Sequence, residues 1–208
     1  MTAATPTPAA TATSRGRREA TKQANRAAIL AAAQDVFGEI GYGAASVRDI
    51  VRRTDLATGT FYNYFPDKES VLRALVDAVA VEARRRVRAA RQGATSLQEF
   101  VEEGFRAYFA FIADDPPTFA LMRRNAGTIR AMFDEPAFGA GIDELRADLQ
   151  AGVAAGAIPP HDTDLMAAAM VGAGIEVGVK MVEGDGDVEA AVRFVTSLFL
   201  GGLDRMTT

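Results

Sequence analysis

The sequence has no cysteine, no tryptophan and a single histidine, His161, in 208 residues. Without cysteine there is no disulfide framework and no Cys-ligated zinc or iron–sulfur site. A thiol nucleophile is likewise excluded, and a catalytic triad would have to rest on His161 alone. No paired carboxylates in an obvious pocket and no phosphate-binding glycine loop replace them. The expectation is therefore no catalytic residue, no metal and no cofactor. No uninterrupted apolar run reaches the ~18 to 20 residues needed to span a bilayer, so no membrane partner is expected. What is present is ordinary for a soluble globular protein: 49% apolar and 24% charged residues, with enough length for one or two domains and a real core.

The net charge of −4 hides an asymmetry. Residues 1–92 hold 15 Lys/Arg and 9 Asp/Glu, a net of +6, and residues 93–208 hold 8 and 18, a net of −10. A basic first half suggests a polyanion-binding module joined to a second module. Residues 1–14 contain only Met, Ala, Thr, Pro and Ser, with no charge and no periodic apolar face. They read as a disordered tail. They also lack the basic segment and apolar stretch of a secretory signal, and a cytoplasmic protein is expected. A basic stretch follows, with Arg15, Arg17, Arg18, Lys22 and Arg26, and reads as a candidate flexible arm.

The remainder reads as about nine helices and no sheet. Ile29, Ala33, Val36, Phe37 and Ile40 recur at helical spacing, and Gly41-Tyr42-Gly43 ends that helix. Ser46 with Asp49 three residues on resembles a capping box, and Val47, Ile50 and Val51 form the buried face of the helix it starts. Thr54-Asp55-Leu56 is a short turn. A short helix from about Ala57 to Tyr64 has Phe61 inward, with Phe65 just beyond. A longer helix then carries Val71, Leu72, Leu75, Val76, Val79 and Val87. Its end is crowded by Arg84, Arg85, Arg86, Arg88 and Arg91, which complement the helix dipole and read as a solvated end.

Two short helices joined by a tight turn after a longer helix form a helix-turn-helix arrangement. Phe61 and Phe65 would anchor the second helix. Thr58, Gly59, Thr60, Tyr62, Asn63 and Tyr64 would face the ~12 Å wide major groove, with Lys68 as a phosphate donor. Pattern alone leaves open a polar solvent face on an ordinary helical hairpin. At the residue level, however, ILAAAQDVFGEIGYGAASVRDIV followed by LATGTFYNYFPDKESVL resembles the DNA-binding domain of TetR-type (TetR/AcrR) transcriptional regulators, from Ile29 to Leu72. The resemblance implies an all-α fold: an N-terminal helix-turn-helix domain over residues 15–66 and a ligand-binding and dimerisation bundle over residues 67–208. It implies DNA contacts from Arg48, Thr58, Gly59, Thr60, Tyr62, Asn63, Tyr64 and Lys68. Two positions depart from the family pattern. Asp55 stands where Gly is common, and is expected to adopt a left-handed backbone. Ala57 stands where Ser is common, and cannot cap the recognition helix.

Beyond residue 93 the aromatic and Met content rises. Phe105, Tyr108, Phe109, Ile112, Phe119, Met122, Phe133, Met166 and Met170 are the candidate lining of an apolar ligand pocket; any one of them alone reads more readily as packed core, and the resemblance favours a pocket for the domain as a whole. Arg106, Tyr108, Arg123, Asn125 and Glu176 are candidate polar orienters. Two final helices, about 162–183 and 187–206, are rich in small residues. The resemblance assigns them to a dimer interface built from Leu165, Val171, Gly174, Val179, Phe194, Val195, Leu198 and Phe199. The expected function is a ligand-responsive transcriptional regulator acting as a repressor. Its partners would be double-stranded operator DNA of palindromic sequence, a second copy of the chain, and a small apolar or aromatic effector that releases the DNA. A helical scaffold that has lost DNA binding and a small helical enzyme are the alternatives.

Overall fold

A computed structural model describes residues 8–131, 136–184 and 186–205. Among these residues there are ten helices and no strand. Packing divides the chain into two compact units, Met1–Leu75 and Val76–Thr208.

The first unit holds α1 (Pro8–Ile40), α2 (Val47–Val51), α3 (Thr58–Tyr62) and the start of α4 (Lys68–Arg91). Residues 8–14, read from sequence as a disordered tail, are helical; alanine, frequent there, is the strongest helix former. The basic stretch is accordingly part of α1 and not an extended arm. Ile29, Ala33, Val36 and Phe37 of α1, Ile50 of α2, Phe61 and Phe65, and Val71 and Leu72 of α4 are buried. The Ser46–Asp49 capping box is formed: the Asp49 carboxylate accepts from the Ser46 amide at 2.9 Å, and Ser46 Oγ accepts from the Asp49 amide at 3.3 Å.

The turn before α3 is built differently from the expectation. Asp55 is not left-handed, because no non-glycine residue has positive φ among the described residues. Thr54 organises the turn, donating to the Val51 carbonyl and accepting from the Leu56 amide. Ala57 is the N-cap of α3 and supplies no side-chain bond. Ala57→Ser should therefore add a missing cap and raise stability by ~0.5–2 kcal/mol, read as a higher midpoint in thermal unfolding.

The second unit holds the rest of α4 with α5 (Leu97–Asp114), α6 (Pro116–Arg124), α7 (Ala126–Arg130), α8 (Pro136–Ala154), α9 (Thr163–Glu183) and α10 (Val188–Arg205). The tenth helix relative to the expected nine is α7. Asn125, with φ −109° and ψ 15°, breaks the chain between α6 and α7, and its buried amide donates to the Leu121 carbonyl. Asp115 starts α6 by accepting from the Thr118 amide, with Pro116 and Pro117 in the first turn. The core lies between α5, α8, α9 and α10. Phe105 stacks on Phe109 at 5.7 Å and on Phe199 at 5.9 Å. Gly178 lets α9 approach α5, since a Cβ there would lie 2.7 Å from Ile112 Cδ1. Helix α9 is also the one described helix long and apolar enough to cross a membrane. Its few charges interrupt the apolar run counted in the sequence without lowering its mean hydropathy much. One face of it is buried in this core through Met166, Ala167, Met170, Gly174, Gly178 and Met181.

Candidate functional site

In the first unit, Phe61 is fully buried and Phe65 nearly so, which fixes how α3 is rotated. Thr58, Gly59, Tyr62 and Asn63 are exposed, Thr60 and Tyr64 half-buried, and Arg48 is exposed on α2. Tyr62 is one of the few large apolar-bodied side chains left open to solvent, at 55% exposure. A Cβ at Gly59 would meet nothing within 4 Å, so the backbone there is open to close approach. Tyr64 Oη accepts from Asn25 Nδ2 at 3.1 Å. A shallow groove of about 430 Å³ runs beside Tyr64, lined by Arg17, Arg18, Thr21 and Lys22 of α1.

Lys68 is placed otherwise than as a free phosphate donor. Its Nζ donates to the Tyr42 carbonyl at 2.7 Å and the Ala45 carbonyl at 2.8 Å, and sits 4.3 Å from the Tyr42 ring centroid. Two of its three donors therefore tie the α1–α2 loop to the start of α4.

In the second unit a cavity of about 830 Å³ opens between α4, α5, α6, α7, α8 and α9. Its lining includes six of the predicted residues: Phe105, Tyr108, Ile112, Phe119, Met122 and Met170. Phe109 and Met166 are buried in the packed core and do not reach it. Phe133 lies outside the described residues. Sequence reasoning missed the α4 wall, where Val79, Ala80, Ala83 and Val87 line the cavity. Those four recur at helical spacing, which was the available signal.

The arginines at the end of α4 are a solvated end only in part: Arg85 and Arg88 are exposed, with Arg85 pairing with Glu82 of the same helix. Arg84, Arg88 and Arg91 line the cavity. Arg84 and Arg88 approach Glu144 of α8 at 3.9 and 3.8 Å, and Arg86 pairs with Asp114 of α5 at 3.0 Å. Arg91 forms no ion pair within 4.0 Å. Its guanidinium lies 4.5 Å from the Phe100 ring centroid, and its Nε is shut off from solvent without a hydrogen-bond partner. Burial pulls its pKa down to about 10, with Asp148 opposing the shift. Burial likewise pushes the Tyr108 hydroxyl up to about 12. Arg91 was not among the sequence candidates for a polar orienter. Of those that were, Arg106 is turned away from the cavity and pairs with Glu189 at 2.8 Å and with Glu103. Arg123 and Glu176 do line it, Arg123 pairing with Glu183 at 2.9 Å. His161 is not simply solvated: Nδ1 lies 2.7 Å from the Pro159 carbonyl oxygen, and Nε2 is buried without a partner.

The predicted interface residues divide. Leu165, Phe194 and Leu198 are 69%, 60% and 53% exposed. Val195 and Phe199 are buried in the core, Gly174 packs against Phe105 and Tyr108, and Val171 and Val179 line the cavity. Val195, Phe199 and Gly174 are occupied within one copy of the chain, and Val171 and Val179 are half-buried beside the cavity, because α10 and α9 each carry apolar residues on two sides.

Residues 29–75 match the family model for bacterial regulatory proteins of the tetR family. The fold over most of the chain is similar to that of solved structures. The fatty acid degradation regulator FadR from Bacillus halodurans is 28% identical, with 86% of this chain and 95% of that chain covered, at a TM-score of 0.73. A TetR-family transcriptional regulator from Pectobacterium atrosepticum is 25% identical over 88% of this chain and 96% of that one, at 0.66. The transcriptional regulator FadR from Bacillus subtilis, solved in complex with stearoyl-CoA, is 24% identical over 82% and 95%, at 0.71. The anchored recognition helix, its open polar face and the match over residues 29–75 converge: residues 29–75 form a DNA-binding domain of the tetR type, and the chain is a DNA-binding transcriptional regulator similar to the bacterial regulatory proteins of that family.

Proposed function

We propose that this regulator is a cytoplasmic homodimeric repressor whose effector is a long-chain acyl compound, of the class the Bacillus subtilis neighbour holds as stearoyl-CoA. The observation that carries the reading is the state of α4. Its first turns are packed through Val71, Leu72 and Leu75, whereas no residue from 77 to 91 is buried. The apolar face of that second half looks into the cavity instead of a packed core. Filling the cavity with an apolar body supplies the missing contacts and favours one position of α4, a continuous helix that also belongs to the DNA-binding unit. The cavity volume falls within the ~300–1,000 Å³ typical of ligand sites. Coupling of this kind is reciprocal, so DNA weakens effector binding to the degree effector weakens DNA binding.

On the DNA side, Thr58, Gly59, Thr60, Tyr62 and Asn63 face the major groove, with Arg48 alongside. Arg17, Arg18 and Lys22 extend the contact to phosphates as a helical continuation of α1. Lys68 contributes by holding the α1–α2 loop to α4, with at most one donor left for DNA. The scaffold and enzyme alternatives gain no supporting feature.

The test is fluorescence anisotropy on the DNA upstream of the protein's own gene. A specific complex should weaken steeply with salt, by ~10³-fold between 50 and 200 mM if about six phosphates are contacted. Tyr62→Phe should weaken binding to all sequences, and Thr60→Ala should relax specificity. Saturating stearoyl-CoA should release the DNA. Equal DNA affinity with and without it would sink the effector assignment, and a complex indifferent to both salt and Tyr62→Phe would sink the DNA face.

A further inference from the structure

A cation without a counter-ion is an unusual thing to find in the wall of an apolar cavity. Arg84 and Arg88 share Glu144, Arg123 has Glu183, and Arg130, which also lines the cavity, is exposed to solvent. Arg91 has the Phe100 ring and a field from Asp148, but no carboxylate within 4.0 Å and no acceptor on its buried Nε. Guanidinium stays protonated at neutral pH and carries donors in a fixed fork. A buried donor without an acceptor is costly to leave unmade, so the site is complete only when something else brings the acceptor.

Gly104 bears on the same point. It sits on α5 facing the end of α4, and a Cβ there would lie 2.5 Å from Arg91 Nε and 2.8 Å from a terminal nitrogen. The smallest residue is therefore required opposite the guanidinium for it to occupy this position. Both Gly104 and Arg91 line the cavity, together with Phe100, Phe105 and Tyr108.

We propose that Arg91 is the anion anchor of this cavity: the effector carries an ionised oxyacid group on an apolar body, and that group docks on the Arg91 guanidinium held open by Gly104. The inference rests on the cavity being the effector site. The oxyanion is the shared chemistry of two sources, the carboxylate of a free long-chain acid and a phosphate of its CoA ester. Either one pairs with a guanidinium through short, charge-assisted hydrogen bonds.

The test uses full-length protein and two fluorescent probes of matched ring skeleton, anionic 1-anilinonaphthalene-8-sulfonate and neutral N-phenyl-1-naphthylamine. Arg91→Gln should weaken the sulfonate probe ~10-fold or more, the size of a lost hydrogen bond to a charged group, and leave the neutral probe within about twofold. Gly104→Ala, which pushes the guanidinium aside while keeping its charge, should act in the same direction on the ratio of the two affinities. An equal change for both probes, no change in either, or no saturable sulfonate binding by the unaltered protein overturns the anchor. Displacement of the neutral probe by stearate, stearoyl-CoA and methyl stearate reads the acyl assignment separately. If none of the three displaces it, the acyl reading fails while the probe ratio still decides Arg91. If stearoyl-CoA displaces it and the ratio is unmoved by Arg91→Gln, the acyl reading stands and the anchor falls. Stronger displacement by stearate than by stearoyl-CoA identifies the carboxylate as the docked group, and the reverse identifies the phosphate; in both cases Arg91→Gln must weaken the stronger ligand selectively.

Discussion

Replacing Phe61 with alanine should abolish DNA binding at 37 °C while leaving probe binding in the cavity intact. Phe61 is fully enclosed, in edge contact with the Tyr62 ring at 5.4 Å and packed on Phe65 at 6.2 Å. Truncating a buried Phe costs ~3–5 kcal/mol. A unit of 75 residues has little to spare, since stability runs at roughly 0.05–0.15 kcal/mol per residue, or about 4–11 kcal/mol. The loss corresponds to a fall in melting midpoint of well over ~10 °C for a domain of this size. Helix α3 is too short to persist without its anchor, and its own first turn lacks a side-chain cap. Calorimetry of the full chain should show the transition of the first unit moved down and that of the second held. Unaltered operator affinity in Phe61→Ala would show that the recognition helix does not depend on this anchor.

Much of the fold was legible because helix periodicity and caps are local. Ser46 with Asp49, Asp115 with the Pro pair, and the i, i+3, i+4 rows of α5 all announce themselves within a few residues. The turn before α3 was misread for a local reason too: Thr54 accepts from the Leu56 amide, and the turn closes without the left-handed backbone expected at Asp55. The site was harder because its decisive features are relations across the chain. The arginines of α4 read as a solvated helix end when judged by helix dipole alone. Glu82, which pairs with Arg85 and Arg86, lies on α4 itself, but the partners Glu144 and Asp114 lie on other helices, and no window centred on α4 contains them. Arg106 looked like a pocket residue among aromatics, and of its two partners Glu103 lies one turn away whereas Glu189 is 83 positions on. The overall charge split pointed toward DNA for partly the wrong residues, since residues 14–65 hold only 8 basic and 5 acidic side chains. Several of the other cations in the first half belong to the cavity wall. Helices apolar on two sides posed a further ambiguity. Periodicity marks Phe194, Val195, Leu198 and Phe199 as apolar without saying which pair faces its own core.

The structure resolves that pair, and the largest effect on function should follow from it. Val195 and Phe199 are enclosed, while Phe194 and Leu198 stand out at 60% and 53% exposure, joined on α9 by Leu165 at 69%. These are three of the six large apolar side chains left open among the described residues. Around them Ala168, Gly172 and Gly201 are exposed, and a Cβ at either glycine would meet nothing within 4 Å. Small open residues flanking large apolar ones suit close helix approach by a second copy, and a C2 pair is the commonest closed assembly. Phe194→Glu with Leu198→Glu should therefore give a folded monomer at micromolar concentration in analytical ultracentrifugation. Its circular dichroism should match the unaltered chain, because neither side chain supports the core of its own copy. Operator affinity should fall ~10²-fold or more, since a dimer gains the second half-site at high effective concentration and a monomer does not. Val81→Glu, on an apolar side chain equally open at 48% but lying on α4, should leave assembly unchanged. Val195→Glu should instead disrupt the fold, by burying an unpaired charge. A dimer that survives the paired change on α10 would place the contact between copies on another face, and the half-site spacing of the operator would then follow from that face.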